Sequence, residues 1–427
     1  PAGPVFLPAG QPFAVTVTAL DAEGDPTPNY GREAIAESVS LTSTLVAPVA
    51  GVNPPVTAGT GFGVFTGGTA TGIDFNWPEV GIITLTPSVG DGDYLSGGNV
   101  TGTVSGNVGR FIPDHFDVAL NSPAFGTACA SGGFTYIGET FNYSLAPRIT
   151  LTARAATASV TQNYTGAFFK LTNTTVQNRS YVAVGHALDT AGLPAPAIDP
   201  VITDAGGGVA TLAFSGGSGL KFVRTTPEAP FDADIRLSID VLDADNVSPA
   251  SNPVVFGGGG GIAFDAGAQM VYGRIHLANA LGSELVNLTV PQTSQVFVSA
   301  ATGFVTHTAD NCTTGTPLSL GAWAGSLNAG ETCVLDTGAP GASGAGCGSA
   351  GPLAQRYRTP PLGGDFNLFL AAPGAGNDGS VTISADVPAW LEFDWNAATP
   401  GLEDPTGIAT FGIYSGNARR IYQREIY

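Results

Sequence analysis

The stretch FAVTVTAL at residues 13–20 alternates, with Phe13, Val15 and Val17 on one side of an extended chain and Ala14, Thr16 and Thr18 on the other. RITLTA at 148–153 does the same, with Ile149 and Leu151 facing inward. Runs of this kind recur along the chain, each short and each bounded by Gly, Pro, Asn or Asp. A period of two predicts strands rather than helices. The turn after the first run, DAEGDPTPNY, supplies Gly24, Pro26 and Pro28, and it also holds three carboxylates, Asp21, Glu23 and Asp25.

A second stretch shows that the fold does not need those acids. VTVTALDAEGDPTPNY (15–30) and ITLTARAATASVTQNY (149–164) share seven of sixteen positions at a constant offset of 134. In the later copy the carboxylates have become Ala155, Thr157 and Ser159. A further pair repeats in the same order: IITLTPSVGDGD (82–93) and DIRLSIDVLDAD (234–245), at an offset of 152. Ile83, Leu85, Val89, Asp91 and Asp93 return there as Ile235, Leu237, Val241, Asp243 and Asp245. Two homologous β-modules in tandem are therefore predicted.

Boundaries follow from composition. The first falls near Gly109, where TVSGNVG gives way to RFIPDHFDV, and the second at the five glycines of 257–261. No Lys-Ser/Thr follows that run, so it reads as a hinge or tight turn between modules rather than a phosphate loop. The expected fold is all-β: immunoglobulin-like β-sandwich modules at 1–109 and 110–256, then a larger C-terminal β-sandwich at 257–427. Strands of that third unit are predicted in MVYGRIHL, ELVNLTV, SQVFVSA, FNLFLAA, SVTISADV, WLEFDW and IATFGIYS. The closing segment gathers Arg419, Arg420 and Arg424, and alternation over 421–427 predicts an integral last strand, with a docking strand as the alternative.

Composition agrees and adds exclusions. With 60 glycines, 31 prolines and 11% charged residues, the chain is poor in helix formers, yet at 43% hydrophobic it is not disordered. A net charge of −19 argues against nucleic acid as a partner, because phosphates would repel it. No apolar run reaches about 18 residues, so no helix of this chain is expected to span a bilayer. The opening PAGPVFLPAG has neither Met nor signal-peptide pattern, which suggests a processed product or part of something longer. Cys129, Cys312, Cys333 and Cys347 form no CxxC and have no His at zinc spacing, so two disulfides and an oxidising compartment are expected. Cys312 with Cys333, which flank a short loop, is the predicted pair. Cys129 with Cys347 follows by elimination and would tie the second module to the third.

Candidate chemistry is sparse. The histidines 115, 186, 276 and 307 stand in no HxxH or HExxH pattern, no GxSxG elbow occurs, and FSGGSG near Ser218 has the wrong spacing. In WLEFDW a strand would place Trp390, Glu392 and Asp394 on one face. Two carboxylates at i and i+2 lie about 6.5–7 Å apart, as in glycosidase pairs, and a Trp beside them can stack on a sugar. The plainer reading is a half-buried strand with a solvated polar face. The paired acids Asp91/Asp93 and Asp243/Asp245 recur in both modules, and paired loop carboxylates suit calcium if further oxygens complete the shell. Asp used as a turn former is the plainer reading there too. Sequons at Asn99, Asn173, Asn178, Asn246 and Asn287 matter only in a eukaryotic secretory pathway.

Several long motifs resemble one family. They are VGRFIPDHFDV (108–118), FTYIGETFNYSLAPRITLTARAA (134–156), YGRIHLANALGSELVNLTVP (272–291), WLEFDWN, and the closing DPTGIATFGIYSGNARRIYQREIY. In this order they resemble the C-terminal region of the MshQ family of pilus biogenesis proteins from the mannose-sensitive haemagglutinin system, most strongly over 108–427. The resemblance implies a protein secreted to the surface of a Gram-negative bacterium and linked to a type IV pilus. It carries over no catalytic residue, and its motif residues Arg110, His115, Tyr164, Arg274, Trp390 and Tyr427 come without assigned chemistry. The expected function is a non-enzymatic surface or pilus-associated protein with an adhesive or assembly role. Its partners would be pilus or surface proteins, or further copies in a filament. The alternative is a module that binds surface glycans through exposed aromatics.

Overall fold

In the computed structural model, which describes residues 3–314, 316–335, 357–396 and 400–412, the alternation of the first run becomes a sheet. Phe13–Thr18 pairs antiparallel with Thr69–Asn76, which carries Thr57–Ala58 on its other edge. A second sheet runs in the order Leu7–Pro8, Val108–Ile112, Gly81–Val89, Val39–Ala47. Phe13, Phe75, Trp77, Ile83, Leu85 and Phe111 from the two sheets meet in one buried cluster. Each such side chain taken from water contributes about 1.5–3 kcal/mol. Trp77 is fully buried because its indole N–H finds the Pro54 carbonyl at 3.0 Å. Among the described residues there is no α-helix, only two single 3₁₀ turns, so the all-β expectation holds.

The second module repeats the plan. One sheet has the order Val201–Gly206, Val209–Ala213, Arg148–Arg154, His115–Leu120, and facing it lie Gln177–Ala183, Ile235–Asp240 and Val254–Phe256. Phe116, Ile149, Leu151, Leu212, Ile235, Leu237 and Phe256 fill the space between. The duplication reaches individual hydrogen bonds. Asp21 N donates to Asp25 O at 2.9 Å, and Ala155 N to Ser159 O at 2.9 Å; Thr27 N donates to Ala19 O and Thr161 N to Ala153 O. A backbone-only turn survives the loss of its acids, because the side chains of Asp21 and its neighbours only reinforce it.

The structure also extends the repeat beyond what alignment showed. Ala19 N donates to Gly68 O and Ala153 N to Gly208 O, both at 2.8 Å. Gly68 and Gly208 have φ of +80° and +78°, and a Cβ on either would stand 2.8 Å or 2.3 Å from the carbonyl oxygen of Thr27 or Thr161. Only glycine fits a position that is both left-handed and pressed on backbone.

The third module joins Ala280–Gly282, Thr406–Phe411, Gly379–Ala385 and Leu318–Gly325 in one sheet, and Gly273–Leu277, Gln292–Ser299 and Gly303–Thr306 in another. Its cluster includes Ile275, Val290, Phe366, Leu368, Val381, Ile383 and Phe411. Cys347 and the segment 421–427 lie outside the described residues. WLEFDW is not a continuous strand: Trp390 and Leu391 sit in a turn closed by Leu391 N on Pro388 O at 2.7 Å, and only Phe393 bridges a neighbour, Glu403. Pro388 and the docking of Leu391 O onto Ile275 N draw the chain out of an extended path.

Two further expectations change. The glycines 257–261 form a tight turn between Val254–Phe256 and Ala263–Phe264, whose partners both belong to the second module, so the run is no hinge between modules. The disulfide joins Cys129 to Cys312, across 183 residues, instead of Cys312 to Cys333. Cys333 is also disulfide-bonded, to a residue outside the described set. Sequence proximity favoured the short loop, but the turn from Cys129 to Phe134, closed by Cys129 N on Phe134 O at 3.0 Å, holds Cys129 beside Cys312, with Cα atoms 5.5 Å apart.

The first junction is polar and buried. The Glu79 carboxylate, 2% exposed, accepts from the backbone N–H groups of Val80, Gln162 and Asn163 at 2.8, 2.9 and 3.0 Å. Asn163 in turn donates to the carbonyls of Val52 and Val80 and accepts from Val52 N. Asn163→Ala is expected to leave those groups unpaired and to cost about 2–3 kcal/mol. Calorimetry should show the first module melting earlier than the rest; a thermogram identical to that of the parent protein would refute the clamp.

Candidate functional site

The duplicated acidic loops have diverged in use. Asp91 and Asp93 form an exposed turn in which Asp93 N donates to Asp91 Oδ1 at 3.0 Å and Gly98 N to Asp93 Oδ1 at 2.8 Å. In the second copy the equivalent bond, Asp245 N to Asp243 Oδ1, is 2.8 Å, but the carboxylates go elsewhere. Asp243 is buried and accepts from Val247 N at 2.9 Å and from the Tyr164 hydroxyl at 2.9 Å. Burial raises the pKa of both groups, which keeps Tyr164 a donor. Asp245 forms a two-point pair with Arg110, Nη1–Oδ2 at 2.5 Å and Nη2–Oδ1 at 2.7 Å. The loop expected to offer calcium two carboxylates gives them to Tyr164 and Arg110. Among the described residues no three His, Cys, Asp or Glu groups gather as a cation cage.

WLEFDW delivers a different aromatic from the one predicted. Trp390 is half-buried against the third core, Glu392 is half-buried with its backbone carbonyl taken by Arg224 Nη2 at 2.6 Å, and Asp394 is exposed. Burial, followed by the nearby Asp404, pushes the Glu392 carboxyl up. It is Phe393 and Trp395 that come together. They close on Arg274, whose guanidinium lies 4.7 and 4.8 Å from their ring centroids and 3.8 Å from that of Phe304. Arg274 Nε donates to Gln295 Oε1 at 2.9 Å, and burial brings the guanidinium pKa down to about 10.

This stack forms one wall of a cleft. Trp395 stands 5.8 Å from His276, and with Asn279, Pro405 and Thr406 the two line a cavity of about 310 Å³. His276 and Asn279 lie at the end of Gly273–Leu277 and just beyond it, and Thr406 opens the strand Thr406–Phe411. Desolvation and then Arg274 push the His276 pKa down, so its ring is neutral at pH 7. Sequence reasoning gave His276 and Asn279 no role, because the motif that holds them, YGRIHLANALGSELVNLTVP, carries no assigned chemistry and Trp395, which completes the cleft, lies over a hundred residues away.

The second junction carries the other concentration of titratable groups. Tyr136, buried, donates to Asp310 Oδ2 at 3.0 Å and lies 3.1 Å from His307 Nδ1. Asp310 Oδ1 accepts from the N–H of Cys312 and of Thr313, both at 3.0 Å, so the network and the Cys129–Cys312 bond share one loop. Arg224 bridges the junction through Nη2 to the carbonyls of Gly273 and Glu392, with its guanidinium 4.3 Å from the Tyr272 ring. Tyr136, His307 and Asp310 are buried and Arg224 is half-buried, so the network locks the junction.

Comparison with known proteins places the chain by family. Models of the second, third and fourth domains of DUF6701 match residues 1–73, 79–268 and 271–426. No link to the MshQ family follows from them. No curated protein matches. Among solved structures, InvD of Yersinia pseudotuberculosis is 13% identical with a TM-score of 0.24, covering 74% of this chain and 72% of that one. Extracellular domains 3–5 of Drosophila OTK are 10% identical with a TM-score of 0.20, covering 95% and 93%. Likeness at this level carries no argument.

Two outcomes follow from the buried groups. Asp245→Ala leaves Arg110, 7% exposed, without its counter-charge and is expected to cost about 3–5 kcal/mol, while replacing both by apolar residues should recover most of it. Unfolding curves in urea measure this, and a single variant as stable as the parent would remove the pair from the account. Burial, then the charge of Asp310, pushes the Glu139 carboxyl up to about 7 from 4.5. The folded chain thus holds a proton that the unfolded chain releases first. This contribution is complete below about pH 4.5 and is lost as pH rises through about 7. Melting temperature measured from pH 4.5 to 8 should fall less steeply in Glu139→Gln than in the parent.

Proposed function

The chain belongs to the DUF6701 family, and from the geometry of its junctions we propose that it is a non-enzymatic, secreted cell-surface protein. Its three β-modules act as a stiff stalk with an adhesive or assembly role, associated with a pilus of a Gram-negative bacterium and held to other surface proteins or to further copies of itself. The observation that carries this reading is the Cys129–Cys312 bond between the second and third modules. A disulfide persists in an oxidising compartment, and one that crosses a module junction resists extension and bending there. The buried Glu79–Asn163 clamp does the same for the first junction without covalent help. An all-β chain with few charges and exposed hydroxyl pairs, such as Thr16–Thr71 and Thr18–Thr69, suits exposure to solvent.

Closing 183 residues of chain contributes about 5 kcal/mol in the loop-entropy description. Replacing Cys129 and Cys312 by serine is therefore expected to lower the melting temperature and to let protease cut between the second and third modules. On intact cells of the native host, the parent protein should be labelled by an impermeant thiol probe only after reduction. Labelling that needs cell lysis would place it inside and sink the proposal.

A further inference from the structure

We propose that the cleft between His276, Asn279, Trp395 and Thr406 binds one neutral sugar unit of a surface glycan. This deepens the adhesive reading above by naming what the stalk would hold.

The argument starts from what the lining offers. No side chain that carries a full charge at pH 7 lines the cleft, so an anionic or cationic ligand would be desolvated there without a counter-charge. The lining is nonetheless rich in hydrogen-bonding groups left open. Asn279 Oδ1 is committed to the N–H of Ile408 at 2.8 Å, which fixes the amide and leaves its two N–H donors. The ring nitrogens of His276 make no hydrogen bond among the described residues, and a neutral imidazole offers one donor and one acceptor. The exposed Thr406 hydroxyl serves either way. Trp395 carries an indole N–H that is withdrawn from solvent and has no partner among the described residues. Such orphaned donors are uncommon and call for a ligand or water.

A ligand matching this set has several hydroxyls, each able to donate and accept, around an apolar ring face. The apolar surface is supplied by Trp395 and by Pro405. Trp395 is already oriented: Arg274 lies against its ring and Phe393 meets it edge-on at 5.2 Å, so little side-chain freedom is lost on binding. A volume of about 310 Å³ stands at the small end of ligand sites and fits a single pyranose with its ordered water, not an oligosaccharide lying flat. The sequence reading of sugar contact through Trp390 thus moves to Trp395, whose neighbours make a cleft where Trp390 packs into the core.

Saturation-transfer NMR and tryptophan fluorescence titration of the full chain with glucose, galactose and N-acetylglucosamine test this, with glucuronate and glucosamine as charged controls. At least one neutral sugar should bind and the charged controls should bind at least about tenfold more weakly. Asn279→Asp keeps the acceptor for Ile408 N and removes the donors, and Thr406→Val removes an exposed hydroxyl. Each should weaken binding about tenfold while the melting temperature stays within a few degrees of the parent. Trp395→Phe should abolish the fluorescence response. Neutral-sugar binding that all three variants retain would place the sugar elsewhere and overturn the site. Binding of the charged controls alone, or of no sugar, would overturn the ligand class, and neither result would bear on surface location, which the labelling experiment decides.

Discussion

A charge or hydroxyl taken out of water must be given partners, and that constraint decides where the modules of this chain are fixed to one another. The protein is poor in charge, yet several of its buried ionisable groups sit at the junctions. Glu79 meets three backbone N–H groups from two modules, Arg110 meets Asp245, and Tyr136 meets His307 and Asp310. Each of these would be costly if its partner moved away. Relative motion of the modules therefore exposes unpaired polar groups at once, where an apolar interface would allow sliding.

The cores beneath these locks are ordinary by comparison. Alternating Val, Ile, Leu and Phe fill the space between paired sheets, and many substitutions of similar volume would be absorbed there. Specificity of arrangement comes from the polar contacts. Gene duplication can be seen acting on them: the turn at 21–25 and its copy at 155–159 keep the same backbone bonds with different side chains, while the loops at 91–93 and 243–245 keep the acids and change their employment. Asp91 and Asp93 stay in solvent, whereas their copies became the counter-charge and acceptor of a buried Arg and Tyr.

The same logic separates the two tryptophans of WLEFDW. A turn at Pro388 rotates Trp390 onto the core, and Arg274 holds Phe393 and Trp395 half-buried together around its guanidinium. A guanidinium sandwiched among three rings leaves one of those rings facing a cleft with unused donors. That combination places open hydrogen-bonding groups beside a fixed aromatic face.

What the sequence alone determined is the part governed by local chemistry. Period-two alternation predicted the strands of Phe13–Thr18 and Arg148–Arg154, glycine and proline predicted their turns, and the offset identities at 134 and 152 predicted a duplication; the turns at 21–25 and 155–159 make the same backbone hydrogen bonds. Those features depend on residues a few positions apart, so they are written in order along the chain. The tertiary structure decided everything that depends on which distant residues become neighbours. The cysteines at 129 and 312 are 183 positions apart, and loop length favoured a nearer partner, but the fold sets the Cys129–Phe134 turn against Cys312. Whether an Asp turns a loop or neutralises an Arg depends on Arg110 arriving from 135 residues away, and no pattern around Asp245 records that arrival. His276 and Trp395 likewise form a cleft only because the loop that carries Trp395 lies against the end of the strand Gly273–Leu277, and their individual contexts are those of ordinary strand and loop residues.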